Sequence, residues 1–386
     1  MLGDDTAEMP RIVVVGAGCF GAWTAYRLVK AGHDVTVVDA YGPGNSRSSS
    51  GGETRILRMG YGDAAVYTRW SRRSLELWRG ILEGAGASLF LRTGVLWMAR
   101  EGDPYTAATL ATLDAAGVKY ERLMRADLDG RWPHVDFDAI AIGIFEPDSG
   151  VLLARRAVTA ILGAAVRAGA RYVAASIAPP SGERRLDSVT AASGQTFRGD
   201  AFVFACGPWL AKLFPDVLGD RLFVTRQEVV YFGPPAGDVR FATPSLPAWI
   251  DFGSEMYGVP DVEGRGFKIA FDRHGPPFDP DGGARTPGET FDAVRAYAER
   301  RFPALAGAPI VGAEVCQYEN TSNGDFLIDR HPSLENVWIV GGGSGHGFKH
   351  GPAVGEYTAR LVEGGATPEP RFLLAAKERV QRRNVF

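Results

Sequence analysis

Apolar positions change period twice between residues 9 and 40. RIVVV, residues 11–15, is a β-branched run of the length of a buried strand. After GAGCFG, the segment AWTAYRLVKAG spaces Ala22, Ala25, Leu28 and Val29 as one helical face and stops at Gly32. DVTVVD then returns to a strand pattern and ends in Asp39. Near the other end, VWIV (337–340) predicts a strand and AVGEYTARLVEG (353–364) a helix, with a glycine-rich turn between them. GVLLARRAVTAILGAAVRAGARYV (150–173) is read as a helical region leading to VFACGPW. In the middle, RQEVVYFG, PAWIDF, MYGVP and GFKIAF are short strands of the kind that build an antiparallel sheet. GPPFDPDGGARTPG is a Pro/Gly loop, and TFDAVRAYAERRFPAL is a helix ending before Pro303. RFLLAAKERVQRR (371–383) predicts a basic amphipathic tail helix with a solvated face.

Composition bounds these elements. A chain of 386 residues exceeds one ordinary core and implies two domains. A net charge of -3 argues against a general nucleic-acid binder. The chain shows no apolar run of membrane-spanning length and no internal repeat. Three cysteines without a CxxC pair offer neither a disulfide framework nor a zinc site, so no metal is expected. The start, MLGDDTAEMP, has no secretory pattern, and QRRNVF is no peroxisomal address; the expected location is cytoplasmic.

Gly16, Gly18 and Gly21 stand in GxGxxG spacing directly after the first strand. Gly16 permits a tight turn, Gly18 admits a pyrophosphate close to the backbone, and Gly21 lets helix and strand pack. The helix start offers N–H groups and partial positive charge to phosphates. Asp39, 23 residues after Gly16, is placed to accept hydrogen bonds from ribose hydroxyls and would repel a 2′-phosphate. NAD and FAD remain. Two features favour FAD. The loop AYGPGNSRSSSGGETRILRMGYG, with Ser49, Thr54, Arg55 and Arg58, follows the ribose acid and could line a long anionic cofactor. The second glycine turn, with Gly343, Gly345 and Gly347, suits a cofactor with two functional ends.

VVVGAGCFG, GGETRILRMGYG, RWP, FEPDSGVL, ACGPWLAKL, MYGVP…GFKIA, GAEVCQY, FLIDRHP and GGGSGHGFK occur in order. On these motifs the chain resembles the monomeric sarcosine oxidase group of the D-amino-acid-oxidase-like flavoproteins, which includes sarcosine, N-methyltryptophan and pipecolate oxidases. The resemblance implies an α/β chain with a discontinuous Rossmann-like FAD-binding domain (9–91, 150–220 and 309–386). An inserted α+β substrate domain (92–149 and 221–308) would be built on an antiparallel sheet. It implies oxidation of the C–N bond of an amino acid or N-alkyl amino acid, with O2 reduced to H2O2 and an imine that hydrolyses. The partners would be a small-molecule substrate and O2, and the protein a monomer.

Residue by residue, the resemblance gives Cys316 as the tether for FAD, and Arg58 and Lys349 as cations for the substrate carboxylate. Lys349 also belongs to the cofactor set. Arg55 matches an arginine near the flavin, with Thr54 positioning the loop or cofactor, and Lys268 matches a lysine that activates O2. Tyr257 and Tyr318 match tyrosines lining the substrate site, and His346 a histidine beside the flavin. The chain departs from the pattern at Asp272, where a histidine is usual, with His274 two residues on and on the same face if the strand continues. Glu319 is a second departure. Both acids point away from sarcosine towards a larger or additionally cationic amino acid. Cys19 and Cys206 read as packing residues. Three alternatives stay open: an FAD dehydrogenase feeding a quinone or protein, a non-catalytic FAD-binding subunit, and an NAD-dependent dehydrogenase.

Overall fold

The computed structural model describes residues 9–83 and 89–382. The described residues divide into two units, residues 9–51, 155–223 and 319–382, and residues 52–83, 89–154 and 224–318.

The first unit is built on a six-stranded sheet. From one edge its strands are Leu327–Arg330, Val337–Gly341, Ala201–Phe204, Arg11–Val15, Asp34–Asp39 and Arg171–Ala174. All neighbours run parallel except the edge strand Leu327–Arg330. Past Arg11, the inner strands Arg11–Val15, Ala201–Phe204 and Val337–Gly341 are apolar because parallel strands are covered on both faces. Helix Cys19–Lys30 packs on helix Gly351–Val362 through small residues: a Cβ at Gly351 would lie 2.3 Å from Cys19 Sγ, and one at Gly355 2.7 Å from Trp23 Cβ. Cys19 is therefore the packing residue expected, and its Sγ donates to Phe348 O at 3.2 Å.

The second unit carries an eight-stranded sheet. Its order is Ile310–Thr321, Leu222–Phe232, Phe267–Phe271, Met256–Val259, Ala248–Asp251, Val95–Ala99, Ile142–Glu146 and Glu121–Met124. Its pairings with given register are antiparallel, except Ala248–Asp251 beside Val95–Ala99. Trp249, Phe267, Phe302 and Phe241 pack edge-on or tilted in the core beneath it. A buried ion pair, Arg301 to Asp251 at 2.9 Å, lies beside the core, with Tyr297 donating to the same carboxylate.

Three expectations change. Residues 52–83, 89–91, 150–154 and 309–318 group with the second unit and 221–223 with the first, so the boundaries differ from those expected. Thr54–Leu57 pairs antiparallel with Gly150–Leu153, which also pairs with Phe90–Leu91. Such pairing across about a hundred residues leaves no local periodic trace. The tail is not a helix: Pro370–Phe372 and Leu374–Ala376 make two short 3₁₀ turns, and residue 383 lies outside the described residues. Lys377 is buried, not solvated, and donates to Asn323 Oδ1, Asp325 O and Arg371 O. The strand of Lys268 ends at Phe271, so strand alternation does not extend to His274.

Candidate active site

The first unit holds both glycine turns. Gly16 has φ +104°, and a Cβ there would lie 2.3 Å from Ala205 O. A Cβ at Gly21 would lie 1.9 Å from Gly16 O. The turn thus closes only with glycine at both positions. Asp39 organises this edge: Oδ2 accepts from Ala17 N at 2.7 Å, and Oδ1 accepts from Tyr41 and Gly42 N. At the helix start Cys19 N donates to Ser50 Oγ at 3.1 Å. The serine that meets the helix is Ser50; Ser49, expected among the cofactor-binding residues, stands one residue before it and is half-buried. Cys206 donates to Val15 O beside this edge, in agreement with a packing role.

In the second turn, Gly342 and Gly345 adopt φ +66° and +77°. A Cβ on Gly347 would lie 2.9 Å from Gly343 Cα and from the Phe20 ring. His346 is buried, stacked on Phe326 at 4.9 Å, with Nε2 3.0 Å from Gly324 O. A carbonyl only accepts, so Nε2 carries the hydrogen. Lys349 Nζ donates to His346 O at 2.9 Å. Glu319 belongs to this unit and is buried, with Oε1 lacking a hydrogen-bond partner among the described residues, while the Gly342 and Gly343 amides favour its ionised form. Burial raises its pKa to about 8.

The second unit assembles the cations. Lys268 is 1% exposed, on a central strand, and its Nζ donates to Thr54 O at 3.2 Å. Burial, reinforced by Arg55, lowers its pKa to about 7. Arg55 Nη1 donates to the same Thr54 O at 2.8 Å, and Arg55 Nη2 lies 3.5 Å from Cys316 Sγ. Thr54 Oγ1 is buried with no hydrogen-bond partner among the described residues. Lys268 Nζ also stands 5.6 Å from the Tyr257 ring centre. Tyr318 hydrogen-bonds Tyr257, and burial pushes the Tyr257 hydroxyl up to about 12. Asp272, half-buried at the end of the Lys268 strand, acts electrostatically on Arg58, Tyr257 and Tyr318. Arg58 is buried with its guanidinium 4.2 Å from the Tyr61 ring centre and 4.6 Å from that of Trp97.

Of the expected residues, Thr54, Arg55, Arg58, Tyr257, Lys268, Asp272, Cys316 and Tyr318 thus fall in the second unit. Gly16, Gly18, Gly21, Asp39, Ser49, Gly343, Gly345, His346, Gly347 and Lys349 fall in the first. Among the described residues there is no cluster of three metal-ligating side chains, and no helix long and apolar enough to cross a membrane.

The family model described as FAD dependent oxidoreductase (DAO) matches residues 11–361. This chain belongs to the DAO family of FAD-dependent oxidoreductases. Monomeric sarcosine oxidase of Bacillus sp. (strain B-0618) is 32% identical over 371 residues, covering 92% of this chain and 93% of that protein. N-methyl-L-tryptophan oxidase of Salmonella heidelberg (strain SL476) is 28% identical, covering 92% and 94%. Among solved structures, L-proline dehydrogenase from P. horikoshii superposes with a TM-score of 0.82 at 25% identity, covering 95% of this chain and 97% of that one. The DAO enzyme's residues fit an FAD dinucleotide: both glycine turns are closed to a side chain, and Asp39 and Ser50 hold the first turn in place.

Proposed function

We propose that this enzyme oxidises the C–N bond of an amino acid or N-alkyl amino acid and uses O2 as its electron acceptor. Gly16, Gly18, Gly21 and Asp39 would hold the FAD, and Cys316 would tether it. When bound, FAD supplies the two-electron oxidant, so that amine and O2 give an imine, which hydrolyses, and H2O2.

The observation that carries the reading is the pair of buried cations, Lys268 and Arg55, directed at one carbonyl beside Cys316. A fixed buried cation stabilises the negative charge that develops as O2 is reduced. Arg55 next to the sulfur partners the charge of a thiolate, the form in which a cysteine attacks. Arg58 is assigned to the substrate carboxylate because a buried carboxylate needs a paired cation. Tyr257 and Tyr318 line the substrate position. Asp272 among these groups favours a substrate with an added cationic or larger group over sarcosine. The relatives named sarcosine oxidase and N-methyl-L-tryptophan oxidase support the amino-acid class. We place the protein in the cytoplasm as a monomer.

The test is peroxide release by the purified holoenzyme from sarcosine, pipecolate, lysine and Nα-methyllysine assayed side by side. Peroxide with a preference for the basic substrates is expected, and Asp272→Asn should erase that preference. A preference for sarcosine would sink the specificity reading. The likeness to L-proline dehydrogenase keeps a second reading in view. Substrate-driven bleaching of the flavin without peroxide, relieved by a quinone, would establish that reading instead.

A further inference from the structure

Glu146 is a buried carboxylate to which no role in cofactor or substrate chemistry has been given. It ends the strand Ile142–Glu146 and is 1% exposed. Four donors converge on it: Met59 N at 2.7 Å, Gly60 N at 2.9 Å, Trp97 Nε1 at 2.8 Å and Ser149 Oγ at 2.5 Å. Two of these are the amides that directly follow Arg58. The third belongs to the indole on which the Arg58 guanidinium stacks. Arg58 Nη1 in turn donates to Gly60 O, so one residue, Gly60, is gripped by Glu146 through its N–H and by Arg58 through its carbonyl. A Cβ on Gly60 would lie 2.9 Å from the Trp97 ring, which leaves the segment no slack on that side.

We propose that Glu146 is the positioning residue for Arg58: it fixes both the backbone that carries the guanidinium and the aromatic wall that holds it. A carboxylate suits the task because it accepts up to four hydrogen bonds and donates none. Glutamine at this place would turn an N–H₂ group towards donors and leave at least one of them buried without a partner. Arg58 would then lose its fixed orientation while keeping its charge. This rests on the reading of Arg58 as the substrate carboxylate's cation, and the test separates the two.

The experiment compares wild-type holoenzyme with Glu146→Gln and with Trp97→Phe, which keeps the aromatic wall and removes only one donor. The first readout is modification of Arg58 by phenylglyoxal, followed by mass spectrometry, with buried Arg301 as an internal control for folding. The second is binding of propionate and of uncharged propanamide, followed by the flavin absorbance. In Glu146→Gln, Arg58 should react at least about fivefold faster while Arg301 stays protected. Propionate should bind about tenfold more weakly with propanamide unchanged. Trp97→Phe should shift both in the same direction by less. Unchanged protection of Arg58 in both folded variants would overturn the proposal. Faster modification with unchanged propionate binding would uphold the positioning role and remove Arg58 from the carboxylate site.

Discussion

Lys268 and Arg55 donate to the same oxygen, the carbonyl of Thr54, at 3.2 and 2.8 Å. Two buried cations sharing one neutral acceptor repel each other, and burial adds to that cost. The lysine yields, its pKa falling to about 7, while a guanidinium keeps its charge at any accessible pH. A lysine poised near neutrality carries its positive charge only on the acid side of the range in which the enzyme would work.

Lys268→Met should slow reoxidation of the reduced enzyme by O2 by about 10²-fold or more, with substrate-driven reduction little changed. Lys268→Arg should recover part of the loss. Stopped-flow measurement of the two half-reactions distinguishes them. In the wild type the reoxidation rate should fall as pH rises through about 7, where Lys268 loses its proton. An equal loss in both half-reactions would refute a role in O2 chemistry.

Cys316→Ser should leave FAD in the acid supernatant, whereas wild-type protein should keep its colour in the pellet and show a flavin-sized mass on the Cys316 peptide. Arg55→Met should slow the tethering, since Arg55 Nη2 is 3.5 Å from the sulfur. Wild-type flavin released by acid would remove the tether.

Glu319 should make the protein less stable as pH rises. Its folded pKa is about 8, above the ordinary carboxyl value, so the folded state holds a proton that the unfolded chain has already lost. Stability therefore falls with pH between about 4.3 and 8. Glu319→Gln keeps the size and one oxygen of the side chain and cannot ionise. Its melting temperature should exceed that of the wild type by at least about 2 °C at pH 8.5, and the gap should close as pH falls to about 4. Parallel melting curves across that range would refute the prediction.

Gly21→Ala should yield protein without bound flavin. A methyl group there would lie 1.9 Å from Gly16 O, backbone that cannot move aside without opening the turn. The ratio of flavin to protein absorbance after purification decides it, and full occupancy would disprove it.

The two strand–turn–helix units were legible in the sequence because their signals are local. Gly16, Gly18 and Gly21 sit at fixed offsets between a β-branched run and a helical face, and each offset has its own steric reason. The helix before Pro303 and the short middle strands were legible for the same cause. The tail was misread because RFLLAAKERVQRR has helical spacing, while its true conformation depends on acceptors some fifty residues earlier that bury Lys377. Ser48, Ser49 and Ser50 are chemically identical neighbours, and only the path of the loop brings Ser50 to the helix start.

The sequence by itself determined the dinucleotide turn, the two-domain plan and the types of residue able to do the chemistry, since these depend on spacing and side-chain identity. The tertiary structure decided which cations converge. Thr54 and Lys268 are separated by 214 residues and Glu146 and Met59 by 87, and the hydrogen bonds that join them exist only once antiparallel strands have set their register. Register is fixed by burying a whole face of each strand at once. A long-range property of that kind leaves no mark on any one stretch of chain, so Glu146 reads there as one acid before a turn.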